Sequence, residues 1–284
     1  MKLKTLFIIS FSLLATLKIT AQNIEETLRF AEKQFKAGNY MSALLEYQRV
    51  AFFDSKNEFN FIHQRIGESF YAVKDYASAA KSFDLAARAT PNDSLSAEMY
   101  FNKAMCYLKQ HNYFFALNEL LGLSTPDSEY FNTKLNLYSG IAWFGIEDYD
   151  AAHQRLSKVV GNESLYQLKK IFDEYKKIRK RFNPKKIQTL STIFPGLGQL
   201  YCGNFKNGIN SLVLIGSIAF VTVYIWHLYG FFDAALSMGS WYYRYYTGGI
   251  NNAERTALEK IAHEKEEAYH EIMHLVKHSI SGEK

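Results

Sequence analysis

Lys74-Asp75-Tyr76-Ala77-Ser78-Ala79 is one of four copies of a short pattern in the first half of the chain. Each copy has a polar pair, a tyrosine, two further residues and an alanine. The other copies are residues 38–43, 111–116 and 147–152. The tyrosines are 36, 37 and 36 residues apart, and they are Tyr40, Tyr76, Tyr113 and Tyr149. A fixed period of this size predicts a stack of helical units.

Each position of the pattern suits a pair of packed helices. The polar pair breaks one helix and caps the next. The tyrosine fills the wedge between the two helices, and the alanine lets them approach closely. One helical face stays buried because a further core residue follows each alanine by four positions. These alanines and the residues that follow them are Ala43 and Tyr47, Ala79 and Phe83, Ala116 and Leu120, and Ala152 and Leu156.

The second copy carries the fullest pattern. Its members, in chain order, are Ile66, Gly67, Phe70, Ala79, Phe83, Ala86 and Pro91. With these residues the sequence resembles the tetratricopeptide repeat (TPR) family, whose members stack helix pairs into a solenoid. The resemblance implies an all-α, TPR-like array of about four helix pairs over residues 22–162, with a concave groove that binds a peptide or a protein. It implies no particular ligand contacts, because these differ between members.

The other copies depart from the family pattern at single positions. The fourth keeps Gly140 and Trp143, whereas the first has Ser55 in place of the final proline. The third has Lys103 where an apolar residue is usual, and Leu120 in place of the aromatic residue. The period is also two or three residues longer than the roughly 34 residues of the family. These departures affect the expected loop geometry rather than the fold class.

Composition agrees with a helical chain. Of the 284 residues only four are proline, which favours long helices, and 48% are hydrophobic, which is enough for a packed core. The net charge of +5 is mild and local, which argues against nucleic acid as a partner. The two cysteines, Cys106 and Cys202, are far apart, so we predict unpaired thiols rather than a disulfide or a metal site. No cofactor is predicted.

Residues 1–21 have the order of an export signal. Two lysines lie at or before Lys4, an apolar run covers residues 6–17, and Ala21 offers a small residue for cleavage. The alternative is an uncleaved anchor helix, for which the apolar run is short. Either interpretation predicts that the rest of the chain lies outside the cytoplasm.

Residues 163–186 join a predicted helix to a basic segment. The helix, over residues 163–182, has apolar residues at helical spacing and is predicted to close the repeat array. Lysine and arginine occupy seven of the eleven positions from 176 to 186, a segment that we call the basic collar. Its place directly before a hydrophobic region is typical of a segment that binds lipid headgroups. A solvated helix end is the alternative.

Residues 187–250 are predicted to form a membrane domain with one or two transmembrane helices. Residues 209–229 contain no Asp, Glu, Lys or Arg. A helix of this length is about 31 Å long, which is one hydrocarbon thickness. A second apolar stretch, residues 231–246, is shorter and ends in aromatic residues that suit the membrane interface. The alternative is a hairpin buried in the core of a soluble domain.

A Pro-Gly motif precedes the longer apolar stretch, and its residues are Pro195, Gly196, Gly198, Gln199, Tyr201 and Gly203. It resembles the P-G-x-G-Q-x-Y-x-G sequence of small bacterial membrane-domain families, which implies a membrane location but no mechanism. The glycines permit a tight turn or a close helix contact. We expect Gln199 to hydrogen-bond backbone groups that are freed at a re-entrant bend.

Residues 251–284 are predicted to form an amphipathic helix. It begins at Asn251-Asn252 and carries four of the eight histidines on its wet face. His270-Glu271-Ile272-Met273-His274 spells H-E-x-x-H, with which zinc proteases bind metal and polarise water. Only ten residues follow it to supply a third ligand. We therefore predict no metal site and keep His270 and His274 only as candidates.

Together these features predict a non-enzymatic scaffold in the bacterial envelope. The repeat array would bind a protein or peptide outside the cytoplasm, and the hydrophobic segment would contact membrane lipid. One alternative is an accessory of membrane-protein insertion or transport; another is a zinc-dependent hydrolase that uses His270, Glu271 and His274. The topology contains a conflict, because export places the basic collar outside, against the usual excess of positive charge inside. The oligomeric state is not predicted.

Overall fold

The computed structural model describes residues 23–55 and 58–281. The predicted export signal, residues 1–21, lies outside this part of the chain. Every regular element in the described residues is a helix, which confirms the all-α fold class. The chain divides into two compact units between Lys158 and Val159.

The first unit consists of consecutive helices, each of which packs on the next. They are α1 (Ile24–Lys36), α2 (Tyr40–Phe53), α3 (Ile62–Ala72), α4 (Tyr76–Ala89), α5 (Asp93–Lys109), α6 (Tyr113–Leu121), α7 (Glu129–Gly145) and α8 (Tyr149–Leu156). Each tyrosine of the repeated pattern is the first residue of the second helix of a pair. The N-cap before it is Asn or Asp in all four pairs, as the polar pair predicts.

The four helix pairs share one turn geometry. The residue before each N-cap has a left-handed backbone, with φ of 80° at Gly38, 67° at Lys74, 56° at His111 and 72° at Glu147. The next backbone N–H donates to a carbonyl of the preceding helix, at 2.9 Å in the case of Asp75. This hydrogen bond satisfies the end of the first helix, and the N-cap then starts the second.

Small residues bring the two helices of each pair together. A Cβ added to Gly67 would lie 2.8 Å from Cε1 of Phe83, and one added to Gly140 would lie 2.7 Å from Cγ of Leu156. The equivalent residues of the first and third pairs are Ala31 and Ala104, both fully buried. The predicted core alanines are fully buried as well, and they are Ala43, Ala79, Ala116 and Ala152. The sequence period therefore corresponds to a repeated packing contact.

The second unit is built around one long helix. A 3-10 turn (Asn162–Ser164) leads to α9 (Leu165–Arg181), α10 (Pro184–Ile193), α11 (Leu197–Tyr201), α12 (Phe205–Tyr229) and α13 (Phe231–Ser281). The 51 residues of α13 extend over about 76 Å. The other four helices of the unit all pack against α13.

The prediction that a separate helix begins at residues 251–252 is wrong, because α13 continues through them without a break. The two glycines at 248–249 cost a helix about 1 kcal/mol each relative to alanine. The next turns of α13 offset this cost, since Ala253 and Ala257 are fully buried against Ile187 of α10. Local sequence signals for a helix end are thus overridden by packing.

The helix predicted over residues 163–182 corresponds to α9. Its apolar side is buried, through Leu168, Ile171, Phe172 and Tyr175. It belongs to the second compact unit, where it packs on α13. Its role as the closing helix of the repeat array stays a prediction.

Candidate functional site

The Pro-Gly motif forms the junction between α10, α11 and α12. Gly196 precedes α11 with a left-handed backbone, at φ of 88°. A Cβ on Gly196 would lie 2.2 Å from the carbonyl oxygen of Gly208, and a Cβ on Gly198 would lie 2.4 Å from the carbonyl oxygen of Ile187. Both distances are much shorter than a van der Waals contact. Glycine is therefore required at both positions. Gly196 combines a left-handed backbone with a close contact, whereas Gly198 has the close contact alone.

Gln199 is fully buried and connects three helices. Its Oε1 accepts a hydrogen bond from the Ser191 hydroxyl of α10 (2.9 Å). Its Nε2 donates to the backbone carbonyl of Gly249 in α13 (2.8 Å). The Ser191 hydroxyl oxygen in turn accepts from the backbone N–H of Gly198 (2.9 Å). Both ends of the buried amide are therefore paired, as an apolar environment requires.

The prediction for Gln199 is wrong in one respect. Gln199 bonds the backbone of α13, whereas the N–H that the bend leaves free, on Gly198, is bonded by Ser191. Sequence reasoning also missed Ser191, Gly208 and Gly249. A serine, and glycines in apolar helices, are too common to stand out, so no local signal could have identified them.

Tyr201 is an exposed member of the motif and lies beside two cations. Nζ of Lys186 is 3.3 Å from the Tyr201 hydroxyl and 5.0 Å from the centre of its ring. The guanidinium carbon of Arg181 is 5.8 Å from the same ring centre. The hydrogen bond from Lys186, together with the positive charges of Lys186 and Arg181, lowers the pKa of Tyr201 below its ordinary value.

Helix α12 and the first part of α13 form an exposed apolar hairpin. Among the described residues, α12 is the one helix that is long and apolar enough to cross a membrane. After Gly230 the chain turns back along α12, so that Gly249 lies against Ser211. Large apolar side chains face outward, with exposed fractions of 74% for Phe220, 79% for Phe232 and 82% for Leu236.

Charge is nearly absent from this hairpin. Between Lys206 and Glu254 the sequence has only two formally charged residues, Asp233 near the turn and Arg244 further along α13. The predicted second stretch, residues 231–246, is the first third of α13 and does not by itself meet the length and composition of a span.

The basic collar is attached to the base of the hairpin. Lys186 is followed by Ile187, which packs on Ala253 of α13. Ala253 comes 22 residues after Phe231, the first residue of α13. At 1.5 Å per residue this is about 33 Å, slightly more than a hydrocarbon core of about 30 Å. The collar and the hairpin turn are therefore separated by about one bilayer core.

Two open grooves run between α12 and α13. One has a volume of about 510 Å³ and a mixed polar and apolar lining that includes Asn207, Asn210, Ser211, Asn251 and Arg255. The other is nearer the turn, has a volume of about 370 Å³ and is lined almost entirely by apolar atoms of residues such as Ala219, Trp226, Ala234 and Met238. Polarity in the hairpin thus decreases from its base toward its turn.

In the first unit, Lys103 is the centre of a three-residue ion pair. Its Nζ lies 2.8 Å from Oδ1 of Asp84 and 2.8 Å from Oε1 of Glu119, which belong to α4 and α6. Burial lowers the pKa of Lys103, but the hydrogen bonds to the two carboxylates raise it above its ordinary value. Burial raises the pKa of Asp84, and the hydrogen bonds from Lys103 and Arg88 bring it below its ordinary value. The lysine that departs from the family pattern therefore links two neighbouring helix pairs.

We expect Lys103→Met to destabilise the first unit by about 2 kcal/mol at pH 7, because the partly buried carboxylates of Asp84 and Glu119 lose the cation that they share, and Asp84 keeps only Arg88. Since the folded state lowers the pKa of Asp84, the stabilisation is present above the unfolded pKa of about 3.9 and is lost as the pH falls through the folded value. The difference from the native chain should therefore shrink below about pH 4.

Denaturant titration of the full chain in detergent measures this loss through alkylation of Cys106, which is fully buried on the same helix. Burial raises the pKa of Cys106 to about 12, so its thiol reacts only after the unit opens. Lys109→Met removes the same charge from the exposed end of α5 and should cost less than about 0.5 kcal/mol. Equal losses in the two variants would contradict the ion-pair role.

A groove of about 730 Å³ lies between α5, α6 and the loop after α6. Its lining mixes hydrogen-bond donors and acceptors with an aromatic ring, through Asp93, Ser94, Tyr100, Asn118 and Glu119. Such a lining suits a polypeptide, whose backbone presents both donors and acceptors.

His270 and His274 are both exposed on α13. Nε2 of His270 lies 3.3 Å from Oε1 of Glu266. The hydrolase alternative requires a third metal ligand beside the two histidines. Within the described residues the structure does not bring one to them. A group of side chains that could ligate a metal lies elsewhere on α13 and consists of His263, Glu264 and Glu267. Its ligand atoms lie within 4.8 Å of one another.

Comparison with protein-family models, curated proteins and solved structures gives no significant match for this chain. The two resemblances noted in the sequence therefore stay predictions. A function can therefore be proposed only from the contacts of the chain itself.

Proposed function

We propose that this chain is a membrane-attached scaffold. Its first unit acts as a TPR-like solenoid that binds a protein or peptide, and its second unit anchors the chain through the hairpin of α12 and α13. The observation that carries this proposal is the exposed apolar surface of the hairpin, in which α12 is long and apolar enough to cross a hydrocarbon core. In water, a surface of this size would be a site of aggregation.

Lipid accounts for the distribution of charge along the hairpin. With the turn at one interface, Asp233 lies among headgroups and Phe220 lies in hydrocarbon. Arg244 is about 20 Å from the start of α13, so its long side chain extends toward the other interface. The basic collar then lies in the headgroup layer, where it attracts anionic lipid. Both helices of the hairpin cross the bilayer in this arrangement, so the chain enters and leaves on the same side.

The repeated packing of the first unit supports a binding role. Four helix pairs use the same turn and the same small-residue contacts, which leaves the outward positions available for a ligand. The groove beside Tyr100 has the mixed lining that a peptide needs. Location outside the cytoplasm, in a bacterial envelope, is part of the proposal and depends on the export signal predicted in residues 1–21.

Membrane attachment predicts that the expressed full chain sediments with membranes and resists extraction by alkaline carbonate. Phe220→Arg should lower the inserted fraction, because arginine at the centre of a membrane helix costs about 2.5–3.5 kcal/mol. Phe205→Arg is the control, since Phe205 is also exposed but begins α12 at headgroup depth. Recovery of the native chain in the soluble fraction, or equal effects of the two variants, would contradict the proposal.

Partner binding is tested with a photo-crosslinking amino acid at one position at a time. Ser94 is exposed in the groove beside Tyr100, and Lys81 is exposed on α4 outside it. We expect one defined protein or peptide to crosslink at residue 94 and not at residue 81. The same products at both positions, or none at residue 94, would count against a groove-bound partner.

Two other functions are less well supported by the contacts. A role in membrane-protein insertion or transport was suggested by the broken segment, but Gly196, Gly198 and Gln199 are engaged in packing and hydrogen bonds within the second unit. A zinc hydrolase needs a third ligand beside His270 and His274, and the described residues do not supply one there. We therefore favour attachment and partner binding.

A further inference from the structure

We propose that Arg181, Lys186 and Tyr201 form a binding site for a phosphate group, carried either by a lipid headgroup or by a soluble molecule. The three side chains come from the end of α9, the first turn of α10 and the end of α11. They converge within the second unit, where Lys186 donates to the Tyr201 hydroxyl and both cations lie within 6 Å of the Tyr201 ring centre.

The charge of this cluster is unbalanced. In the part of the chain that the structure describes, no carboxylate forms an ion pair with Arg181 or Lys186. Like charges held this close repel one another, and an anion between them would remove that repulsion. The lowered pKa of Tyr201 reports the same positive field.

The donors suit a phosphate. A guanidinium, an ammonium and a phenolic hydroxyl all offer hydrogen bonds, and phosphate presents several acceptor oxygens to match them. Arginine binds phosphate oxygens in a bidentate manner, and lysine adds a point charge. Tyr201 is 38% exposed, so a ligand can reach the cluster from outside.

The position of the site favours a lipid as the source of the phosphate. Lys186 precedes Ile187, whose contact with Ala253 lies about 33 Å along α13 from the hairpin turn. That distance places the site at the headgroup layer when the turn reaches the opposite interface. This part of the inference rests on the membrane attachment proposed above, whereas binding of soluble phosphate does not.

The rival explanation is a diffuse basic surface, in which every cation of the collar contributes alike. A charge-matched pair of double variants separates the two explanations. Arg181→Ala with Lys186→Ala removes two cations from the site. Lys180→Ala with Lys185→Ala removes two exposed cations from adjacent positions, whereas the cation contacts described for Tyr201 are those of Arg181 and Lys186. Tyr201→Phe removes only the hydroxyl.

The experiment uses the full chain in non-ionic detergent and measures binding by calorimetry. One arm titrates mixed micelles that contain a short-chain phosphatidic acid, with the corresponding diacylglycerol as the phosphate-free reference. The other arm titrates glycerol 3-phosphate. The reactivity of Cys202, which is partly buried in the second unit, checks that each variant is folded.

We expect the site variant to bind phosphatidic acid at least tenfold more weakly than the native chain, and the control variant to stay within about threefold. Tyr201→Phe should give an intermediate loss. Binding of phosphatidic acid alone identifies a lipid site, and binding of glycerol 3-phosphate as well identifies a site for the phosphate group itself. Equal losses in both double variants, or no binding by the native chain in either arm, would overturn the inference.

The same measurements separate this inference from the membrane proposal. A chain that fails to sediment with membranes but binds glycerol 3-phosphate through Arg181 and Lys186 would refute attachment and retain the site. A chain that is membrane-bound but loses affinity equally in both double variants would retain attachment and refute the site.

Discussion

Gly196→Ala should destabilise the second unit by about 3–4 kcal/mol, because two costs add. The left-handed backbone of Gly196, at φ of 88°, costs an alanine about 1–2 kcal/mol. The added methyl group would also lie 2.2 Å from the carbonyl oxygen of Gly208, so α11 and α12 must move apart. That movement loosens the contact between Leu200 and Gly208 and costs about 2 kcal/mol more.

Gly203→Ala is the control for Gly196→Ala. Gly203 has nearly the same φ, 83°, but no atom lies within 4 Å of an added Cβ, so only the backbone cost of about 1–2 kcal/mol remains. Denaturant titration of the full chain in detergent, followed by alkylation of Cys202, measures both variants. Cys202 is a suitable probe because it packs against Ile187 and Ala253. Equal losses would mean that the contact at Gly208 contributes nothing.

Gln199→Glu should cost the second unit about 3 kcal/mol at pH 7 to 8, and the loss should depend on pH. A carboxylate oxygen would replace the Nε2 that donates to the Gly249 carbonyl at 2.8 Å, so two acceptors would face each other in a buried site. The folded state therefore favours the protonated form of the introduced carboxyl group and raises its pKa above the unfolded value of about 4.3. Stability should be close to native below about pH 4 and should fall as the pH rises toward the folded pKa.

Two further variants isolate the cause of this effect. Gln199→Met removes both hydrogen bonds without adding a charge, so it should cost about 1–2 kcal/mol at every pH. Gln167→Glu makes the same chemical change on the exposed side of α9 and should alter stability by less than about 0.5 kcal/mol. A pH-independent loss in Gln199→Glu would show that the amide does not donate to Gly249. The same Cys202 alkylation assay measures all three variants.

The repeats were the most predictable part of the fold. The period, the turn residues and the small residues are local signals, and they correctly predict Tyr40, Tyr76, Tyr113 and Tyr149 at the junctions of helix pairs. They do not predict that three of the four residues with a left-handed backbone at the turn are residues other than glycine. The hydrogen bond that closes each first helix imposes that backbone, and the packing of the pair outweighs the preference of the side chain.

The junction of the second unit was less predictable. The glycines of the motif signal close contacts, yet Gly196 meets Gly208 and Gln199 bonds Gly249, which is 50 residues away in sequence. Partners at such separations leave no periodic pattern. The same limit explains the incorrect helix start at residues 251–252, because the contacts that keep α13 continuous there come from α10.

The continuity of α13 has a mechanical consequence. The hydrogen bond from Gln199 holds this helix at Gly249, which leaves 32 residues between that point and Ser281. Because α13 has no break, its apolar arm before Gly249 and its polar arm after Gly249 tilt together. A tilt of about 5° in the apolar arm swings the far end by about 4 Å, given a rise of 1.5 Å per residue. In the membrane arrangement proposed above, bilayer thinning or thickening that tilts the apolar arm would displace the polar arm and α9, which packs on it.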